Sequence, residues 1–203
     1  MPASFVSGHA GSALWLYTWL VTGRNRNIYL IGPTGSGKTA VGKQLARDTG
    51  LKFLDSDQEI EKRTGVEIAY IFEKEGEAGF REREQEMIRE LSSLEGAIVA
   101  TGGGAVLAGA NRERLAASGV VVYLKTGVRE QLRRTGRSPN RPLLNRDDPR
   151  RVLEEMAVVR APLYEEIADL TIDTSSQRVR SVAKQLREML EERGDLSVAG
   201  DRS

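Results

Sequence analysis

Short apolar runs recur along the chain, and a longer stretch with helical periodicity separates each run from the next. The runs are rich in β-branched residues, a composition typical of strands that are buried on both faces of a parallel sheet. They lie near residues 28–31, 52–55, 97–101, 120–124 and 169–173. Strands that alternate with helices predict an α/β fold, with a five-stranded parallel sheet in a three-layer αβα arrangement. No repeat or linker divides this part of the chain, so we expect one domain over residues 26–192.

The stretches between the runs carry apolar residues at helical spacing. Val41 and Leu45 predict a helix after the first strand, and Gly50 stands where that helix would end. Further helices are predicted from near residue 58 and over 66–94, 111–118, 128–135, 147–159 and 179–190. Pro162 cannot donate a helical hydrogen bond, so we expect the segment 160–164 to interrupt the helix and restart it.

One glycine-rich stretch follows the first predicted strand directly. Gly32-Pro33-Thr34-Gly35-Ser36-Gly37-Lys38-Thr39 matches the phosphate-loop pattern G-x-x-x-x-G-K-[ST] at every fixed position. The glycines let backbone N–H groups close around a phosphate, and Lys38 reaches the β- and γ-phosphates. The Thr39 hydroxyl is then placed to ligate Mg²⁺. Strand, loop and helix follow in the order that this chemistry needs, which predicts ATP and Mg²⁺ as cofactors.

The composition of the chain limits which ligands it could bind and which residues could act as a general base. The 203 residues carry a formal net charge of +1, which gives no overall electrostatic case for binding nucleic acid. The chain has no cysteine, so it has no disulfide framework and no thiolate metal site, which fits a cytoplasmic location. His9 is the single histidine and lies in an atypical N-terminal segment. A general base is therefore expected to be a carboxylate or a lysine.

The two ends of the chain look different from its middle. Residues 1–25 precede the first strand, and their apolar run 13–21 is too short to span a bilayer. No Lys or Arg precedes that run and no A-x-A-like site follows it, so it does not resemble a signal peptide. A packing or membrane-surface appendage, a partner contact and sequence upstream of the true start all remain open. We expect residues 1–25 to lie outside the catalytic core and residues 193–203 to form a disordered tail.

Two carboxylates follow the second predicted strand. Asp55 and Asp57 would face the same crevice as the phosphate loop, because ligands of open α/β sheets sit at the carboxyl ends of strands. While the chain stays extended, residues two apart point the same way. One carboxylate could help to hold Mg²⁺ and the other could accept a hydrogen bond from an attacking hydroxyl. The alternative is that they cap the helix that follows, which would explain one Asp better than both.

Arginines and glycines supply the other candidate groups. Arg81 and Arg83 lie in a predicted helix, and spacing alone does not select one over the other. The segment 133–144 combines Gly, Pro, Ser and Asn with several arginines, a composition typical of a mobile lid over a nucleotide or of a solvated basic loop. Gly102, Gly103 and Gly104 end the third strand, where they permit close approach of backbone to a ligand.

These motifs together resemble the shikimate kinase family. The resemblance rests on Gly32–Thr39, Asp55-Ser56-Asp57, Phe80-Arg81, Gly102–Gly104, Arg141-Pro142-Leu143-Leu144 and Arg160-Ala161-Pro162-Leu163-Tyr164, in family order over roughly residues 26–190. It implies phosphorylation of the 3-hydroxyl of shikimate by ATP, a step of chorismate and aromatic amino acid biosynthesis. It also implies a nucleoside monophosphate kinase-like fold with a mobile lid.

The resemblance assigns roles to residues of this chain. Lys38, Asp57 and Arg141 would be catalytic, and Thr39 with Asp55 would hold Mg²⁺. The shikimate-binding residues would be Asp57, Arg81, Gly102, Gly103, Gly104 and Arg160. The ATP-binding residues would be Gly35, Ser36, Gly37, Lys38, Thr39, Ala40, Arg134, Arg141 and Gln177. The segment 174–178, which would complete the adenine pocket, departs from the usual family pattern.

Other functions fit the phosphate loop as well. A gluconate kinase or a nucleoside monophosphate kinase shares the loop, but a nucleotide acceptor should meet aromatic or base-reading residues. Two arginines, an aspartate and a glycine run suit a small polyhydroxy acid instead. A P-loop regulatory protein would not need both Asp57 and the Arg81/Arg160 pair, and an inactive paralogue would not keep all of them. The resemblance leads us to expect shikimate and ATP as partners, and absence of an exposed apolar stripe after Arg26 predicts a monomer.

Overall fold

A computed structural model describes residues 26–135 and 148–196 of the chain. Its sheet has five parallel strands in the order β2-β3-β1-β4-β5, which confirms the predicted α/β architecture. The strands are β1 (Asn27–Ile31), β2 (Lys52–Asp55), β3 (Ala97–Ala100), β4 (Gly119–Lys125) and β5 (Leu170–Asp173). Each lies within a residue or two of its predicted position.

Helices connect the strands. They are α1 (Lys38–Thr49), α2 (Ser56–Thr64), α3 (Ile68–Leu91), α4 (Gly109–Ser118), α5 (Val128–Thr135), α6 (Pro149–Ile167) and α7 (Val179–Glu192), with a 3₁₀ turn at Ala105–Leu107. Helix α1 ends at Gly50, as predicted, and this glycine adopts a left-handed conformation. Helix α3 is kinked at Gly76.

Two apolar layers cover the sheet. Tyr29, Ile31 and Val99 point to one face, where they pack with side chains of α2, α3, α4 and α6. Ile28, Leu30 and Ile98 point to the other face, which α1 and α7 cover. Alternate residues of one strand thus enter opposite layers, and both are buried. The arrangement is the predicted three-layer αβα fold.

One prediction about the helices is wrong. Helix α6 runs without a break from Pro149 to Ile167, with Pro162 inside it. The missing N–H would have bonded to the carbonyl of Val158, a residue whose side chain is 78% exposed on the outer face. The inner face of α6 buries Leu153 and Tyr164 against the core. Packing on that face holds the helix together across the proline.

Both chain ends lie mostly outside the described residues. Residues 1–25, residues 136–147, which include positions 136–144 of the predicted lid, and residues 197–203 belong to that part. Of the predicted tail, residues 193–196 turn back on α7, where the N–H groups of Asp195 and Leu196 donate to the carbonyl of Leu190. No helix in the described ranges is long and apolar enough to cross a bilayer.

Candidate active site

The carboxyl ends of β1, β2 and β3 open into one cavity of about 590 Å³. Of the residues predicted to form the site, it is lined by Gly35, Gly37, Lys38, Thr39, Ala40, Asp55, Asp57, Arg81, Gly102, Gly103, Gly104, Arg134 and Arg160. Ser36 is fully buried in the loop beneath it. Gln177 is exposed and does not line the cavity, because its amide donates to the carbonyl of Asp173 at 2.6 Å. Arg141 lies outside the described residues.

The phosphate loop runs from the end of β1 into α1. Gly35 and Gly37 have φ values of 79° and 96°, conformations that side chains rarely tolerate. The Lys38 amine donates to the carbonyls of Gly32 at 2.7 Å and Pro33 at 2.9 Å. The lysine is therefore already folded over the loop, at the place where phosphate oxygens would compete for its protons.

Asp55 joins the loop to the second strand. Its Oδ2 accepts from the Thr39 hydroxyl at 2.7 Å, while Oδ1 accepts from the N–H groups of Asp57 and Gln58 and caps α2. Asp55 is thus the aspartate that caps the helix, which the sequence analysis gave as the alternative role of Asp55 and Asp57. A hydroxyl and a carboxylate in contact are hard oxygen ligands of the kind Mg²⁺ prefers, so the pair fits the ion.

Asp57 lies differently from the prediction, because it belongs to the first turn of α2 and not to an extended segment. Its side chain still reaches the cavity. Burial, together with the nearby carboxylates of Asp55 and Glu84, raises the pKa of Asp57 from 3.8 to about 7. Its Oδ1 is buried without a hydrogen-bond partner among residues 26–135 and 148–196. A buried acceptor in that state is ready for a donor on a ligand.

The spacing did not separate Arg81 from Arg83, but the structure does. The Arg81 side chain is 17% exposed and lines the cavity, whereas that of Arg83 is 43% exposed and pairs with Glu75 on the surface. Arg81 Nη1 donates to Glu84 Oε2 at 2.7 Å, and its Nε and Nη2 contact Glu77. The guanidinium is therefore fixed in place on two sides.

Glu84 is a site residue that the sequence analysis missed. It is 1% exposed, and burial raises its pKa although the charges of Arg81 and Arg160 oppose that shift. Its Oε1 has no hydrogen-bond partner in the described part of the chain. The i, i+3 spacing from Arg81 is visible in the sequence, but such pairs are common on solvated helix surfaces. Only the burial of the Arg81–Glu84 pair, which the structure shows, identifies Glu84 as a site residue.

The three glycines bring backbone close to these groups. A Cβ on Gly102 would lie 2.6 Å from Glu84 Oε1 and 2.7 Å from Asp57 Oδ1, and one on Gly104 would collide with the Arg81 guanidinium. The carbonyl of Gly103 accepts from Arg160 Nη1 at 3.3 Å and from the Tyr164 hydroxyl. Arg160 and Tyr164 are one helical turn apart, so both side chains of α6 can donate to the same glycine carbonyl.

Arg134 lies against the loop from the side of α5. It donates through Nη1 to the carbonyl of Gly35 at 3.1 Å and through Nη2 to that of Thr174 at 2.8 Å. Its Nε pairs with Glu130 at 2.6 Å. Thr174, which the sequence analysis did not single out, thus belongs to the frame around the loop.

The phosphate loop, the arginines Arg81 and Arg160 and the carboxylate of Asp57 all line one cavity. This is the arrangement that a P-loop kinase acting on a small anionic molecule requires, and fold and site together define that class. A sequence model of the family described as shikimate kinase matches residues 34–191. The chain belongs to the shikimate kinase family.

Individual relatives agree with the family match. The chain is 52% identical to shikimate kinase of Vibrio cholerae over 82% of its own length and 96% of that protein. It is 53% identical to shikimate kinase 1 of Yersinia pestis over 82% of its length and 96% of that protein. The solved structure of shikimate kinase from Acinetobacter baumannii in complex with shikimate has a TM-score of 0.81 at 48% identity, covering 83% of this chain and 94% of that one.

Proposed function

We propose that this chain transfers the γ-phosphoryl group of ATP to the 3-hydroxyl of shikimate, which gives shikimate 3-phosphate and ADP. The reaction is a step on the route to chorismate and the aromatic amino acids. One observation carries the proposal: Asp57, whose Oδ1 has no hydrogen-bond partner among the described residues, lines a single cavity with the phosphate loop and the Arg81/Arg160 pair. Family membership and the relatives' names support it.

The arginines would hold the acceptor's carboxylate. Among the described residues, Glu84 and Glu77 occupy three of the five N–H groups of Arg81. One N–H on each of Nη1 and Nη2 is left for a ligand. Arg160 adds a second positive charge from α6. Gly102, Gly103 and Gly104 would lie along the ring, since they leave room that a side chain would fill.

Asp57 would orient the attacking hydroxyl and accept its proton. The hydroxyl oxygen forms a bond to the γ-phosphorus while the bond from that phosphorus to the bridging oxygen of ADP breaks. A pKa of about 7 makes Asp57 a better proton acceptor at neutral pH than an ordinary aspartate. Because the transition state is loose, correct placement of the hydroxyl matters at least as much as removal of its proton.

At the nucleotide end, Lys38 would exchange the carbonyls of Gly32 and Pro33 for phosphate oxygens. Gly35, Ser36, Gly37 and Ala40 would contribute backbone N–H groups around the phosphates. Arg134 would lie beside adenine and Arg141 would reach the phosphates from the segment 136–147. A contact of Gln177 with adenine remains a prediction. Thr39 and Asp55 would hold Mg²⁺, which when bound neutralises phosphate charge.

The proposed enzyme is a cytoplasmic monomer that uses shikimate and ATP and does not bind nucleic acid. Its function is tested by ADP release from Mg-ATP with shikimate, with gluconate, with AMP and without an acceptor. We expect turnover with shikimate and only background release in the other three reactions. Turnover on gluconate or AMP with none on shikimate would contradict the acceptor assignment. A rate of ADP release that none of the three acceptors changes would favour a regulatory P-loop protein.

A further inference from the structure

The outer side of the phosphate loop is tied to the end of strand β5. Thr174 follows the last residue of that strand, and its side chain is only 2% exposed. Its hydroxyl donates to the carbonyl of Ser36 at 2.9 Å, across 138 residues of sequence. The carbonyl of Lys125 lies 3.2 Å from the same hydroxyl, so the shorter contact is the one to the loop.

Thr174 is itself held firmly. Its N–H donates to the carbonyl of Lys125 at 2.8 Å, which continues the pairing between β4 and β5 by one residue. Its hydroxyl accepts from Arg134 Nη1 at 3.3 Å, and its carbonyl accepts from Arg134 Nη2 at 2.8 Å. Since Arg134 also pairs with Glu130, the loop is braced by the sheet and by α5 together.

The contact fixes the direction of one peptide group. In a planar trans peptide, the carbonyl of residue 36 and the N–H of residue 37 point in opposite directions. Thr174 at 2.9 Å, with a longer contact from Arg134 Nη1 at 3.4 Å, holds the Ser36 carbonyl on the outer side. The Gly37 N–H is therefore turned to the opposite, inner side of the loop. Gly37 has a φ of 96° and precedes α1, so its N–H belongs to the group that meets a phosphate.

The glycine that the loop needs also makes this peptide easy to turn over. A flip of the peptide between residues 36 and 37 changes φ of Gly37, and glycine accepts positive and negative φ at little cost. A flipped peptide would present a carbonyl to the phosphates in place of an N–H. We infer that Thr174 is a positioning residue that keeps the Gly37 N–H aimed at the nucleotide phosphates. The inference rests on the proposed use of ATP.

The test compares Thr174→Val and Thr174→Ser with a matched control, Thr126→Val, in the full chain. Thr126 lies just beyond the neighbouring strand, is 8% exposed, and its hydroxyl has no hydrogen-bond partner in the described ranges. The measurements are the Kd for ADP, the KM for ATP, the KM for shikimate, and Tm. ADP binding requires no acceptor, so it is measured independently of shikimate turnover.

We expect Thr174→Val to raise the Kd for ADP and the KM for ATP roughly tenfold, the effect of one lost, well-placed hydrogen bond. The KM for shikimate should change less than about twofold, since the acceptor groups lie on other elements. Thr174→Ser keeps the hydroxyl and should restore nucleotide binding to within about twofold of the wild type. Thr126→Val should match the wild type in all three constants.

The inference is overturned if Thr174→Val binds ADP as the wild type does, or if Thr174→Ser is as weak as Thr174→Val. It is also overturned if both substrates are affected equally in proportion to a fall in Tm. A wild type that binds ADP but ignores shikimate would contradict the proposed acceptor, while the ADP comparison would still decide the role of Thr174. A wild type that binds no ADP would overturn both proposals.

Discussion

The two halves of the cavity are built in different ways. At the phosphate loop, Lys38 donates to two backbone carbonyls and Thr39 donates to Asp55. At the acceptor half, Glu84 is buried and Asp57 is half-buried, and each has one enclosed oxygen without a hydrogen-bond partner in the described part of the chain. The side chains of the phosphate-loop half are thus hydrogen-bonded within the protein, whereas the acceptor half contains carboxylates whose burial costs free energy.

The phosphate loop therefore adds to the stability of the fold, whereas the acceptor half reduces it in return for a binding site. A buried carboxylate oxygen without a donor costs free energy, and here two of them flank Gly102. A substrate that supplies hydroxyl donors would recover part of that cost on binding. At the loop, by contrast, Lys38 must give up the carbonyls of Gly32 and Pro33 before it can bind phosphate oxygens. We therefore expect a change of pH to act mainly on the acceptor half.

The largest expected effect comes from the loop lysine. Lys38→Met should lower kcat about a thousandfold, because it removes the positive charge that faces the transferred phosphoryl group. Lys43→Met, at an exposed position of the same helix, is the control and should leave kcat unchanged. Steady-state ADP release measures both. If Lys38→Met kept a tenth of wild-type kcat, the loop would not carry the role given to it.

Asp57→Asn should lower kcat about a hundredfold to a thousandfold, because the amide cannot accept the hydroxyl proton. Its Tm should equal or exceed that of the wild type, because the substitution removes a buried charge beside Asp55 and Glu84. Turnover and thermal denaturation are measured on the same preparation. Full turnover would remove Asp57 from the chemistry, and a lower Tm would contradict the view that the acceptor half is held at a cost.

Arg81→Lys should raise the KM for shikimate about tenfold to a hundredfold and leave the KM for ATP unchanged. A lysine cannot offer two parallel N–H groups to a carboxylate. Arg83→Lys is the matched control on the same helix, since Arg83 pairs with Glu75 on the surface. Equal effects of the two substitutions on the KM for shikimate would mean that Arg81 does not bind the acceptor.

The pH dependence should show a smaller step. Since the pKa of Asp57 is about 7, the ionised form grows as pH rises through 7, and kcat/KM for shikimate should be about tenfold lower at pH 6 than at its plateau. Asp57→Asn should lack this step. A raised pKa also means that protonated Asp57 stabilises the fold, a contribution complete below pH 3.8 and lost as pH rises through 7. The Tm advantage of Asp57→Asn should therefore widen between pH 5 and pH 8; a constant gap would contradict the shift.

Local rules were enough for the strands, the phosphate loop and the ends of most helices. Buried parallel strands show as β-branched runs, and a phosphate loop needs glycines and a lysine at fixed intervals, so both are visible within a few residues. The prediction at Pro162 failed because packing of Leu153 and Tyr164 on the inner face of α6 outweighs one missing hydrogen bond. That packing involves residues far away in sequence.

The acceptor half was harder to predict for the same reason. Arg81 and Arg83 differ only in which side of α3 meets the cavity, and this depends on how the kinked helix packs. The i, i+3 spacing of Glu84 from Arg81 is that of an ordinary surface pair, and Thr174 contacts a loop 138 residues away. The resemblance to a family was enough to select Arg81, whereas the roles of Glu84 and Thr174 are visible only in the three-dimensional structure.

The central claim is that the acceptor is held by its carboxylate on the arginines with one particular hydroxyl at Asp57. The most direct test is NMR of the product formed from Mg-ATP and shikimate, in which phosphorus–proton coupling identifies the phosphorylated carbon. We expect a single monophosphate, esterified at the 3-hydroxyl. Phosphate on the 4- or 5-hydroxyl, a mixture of esters, or no ester at all would contradict it.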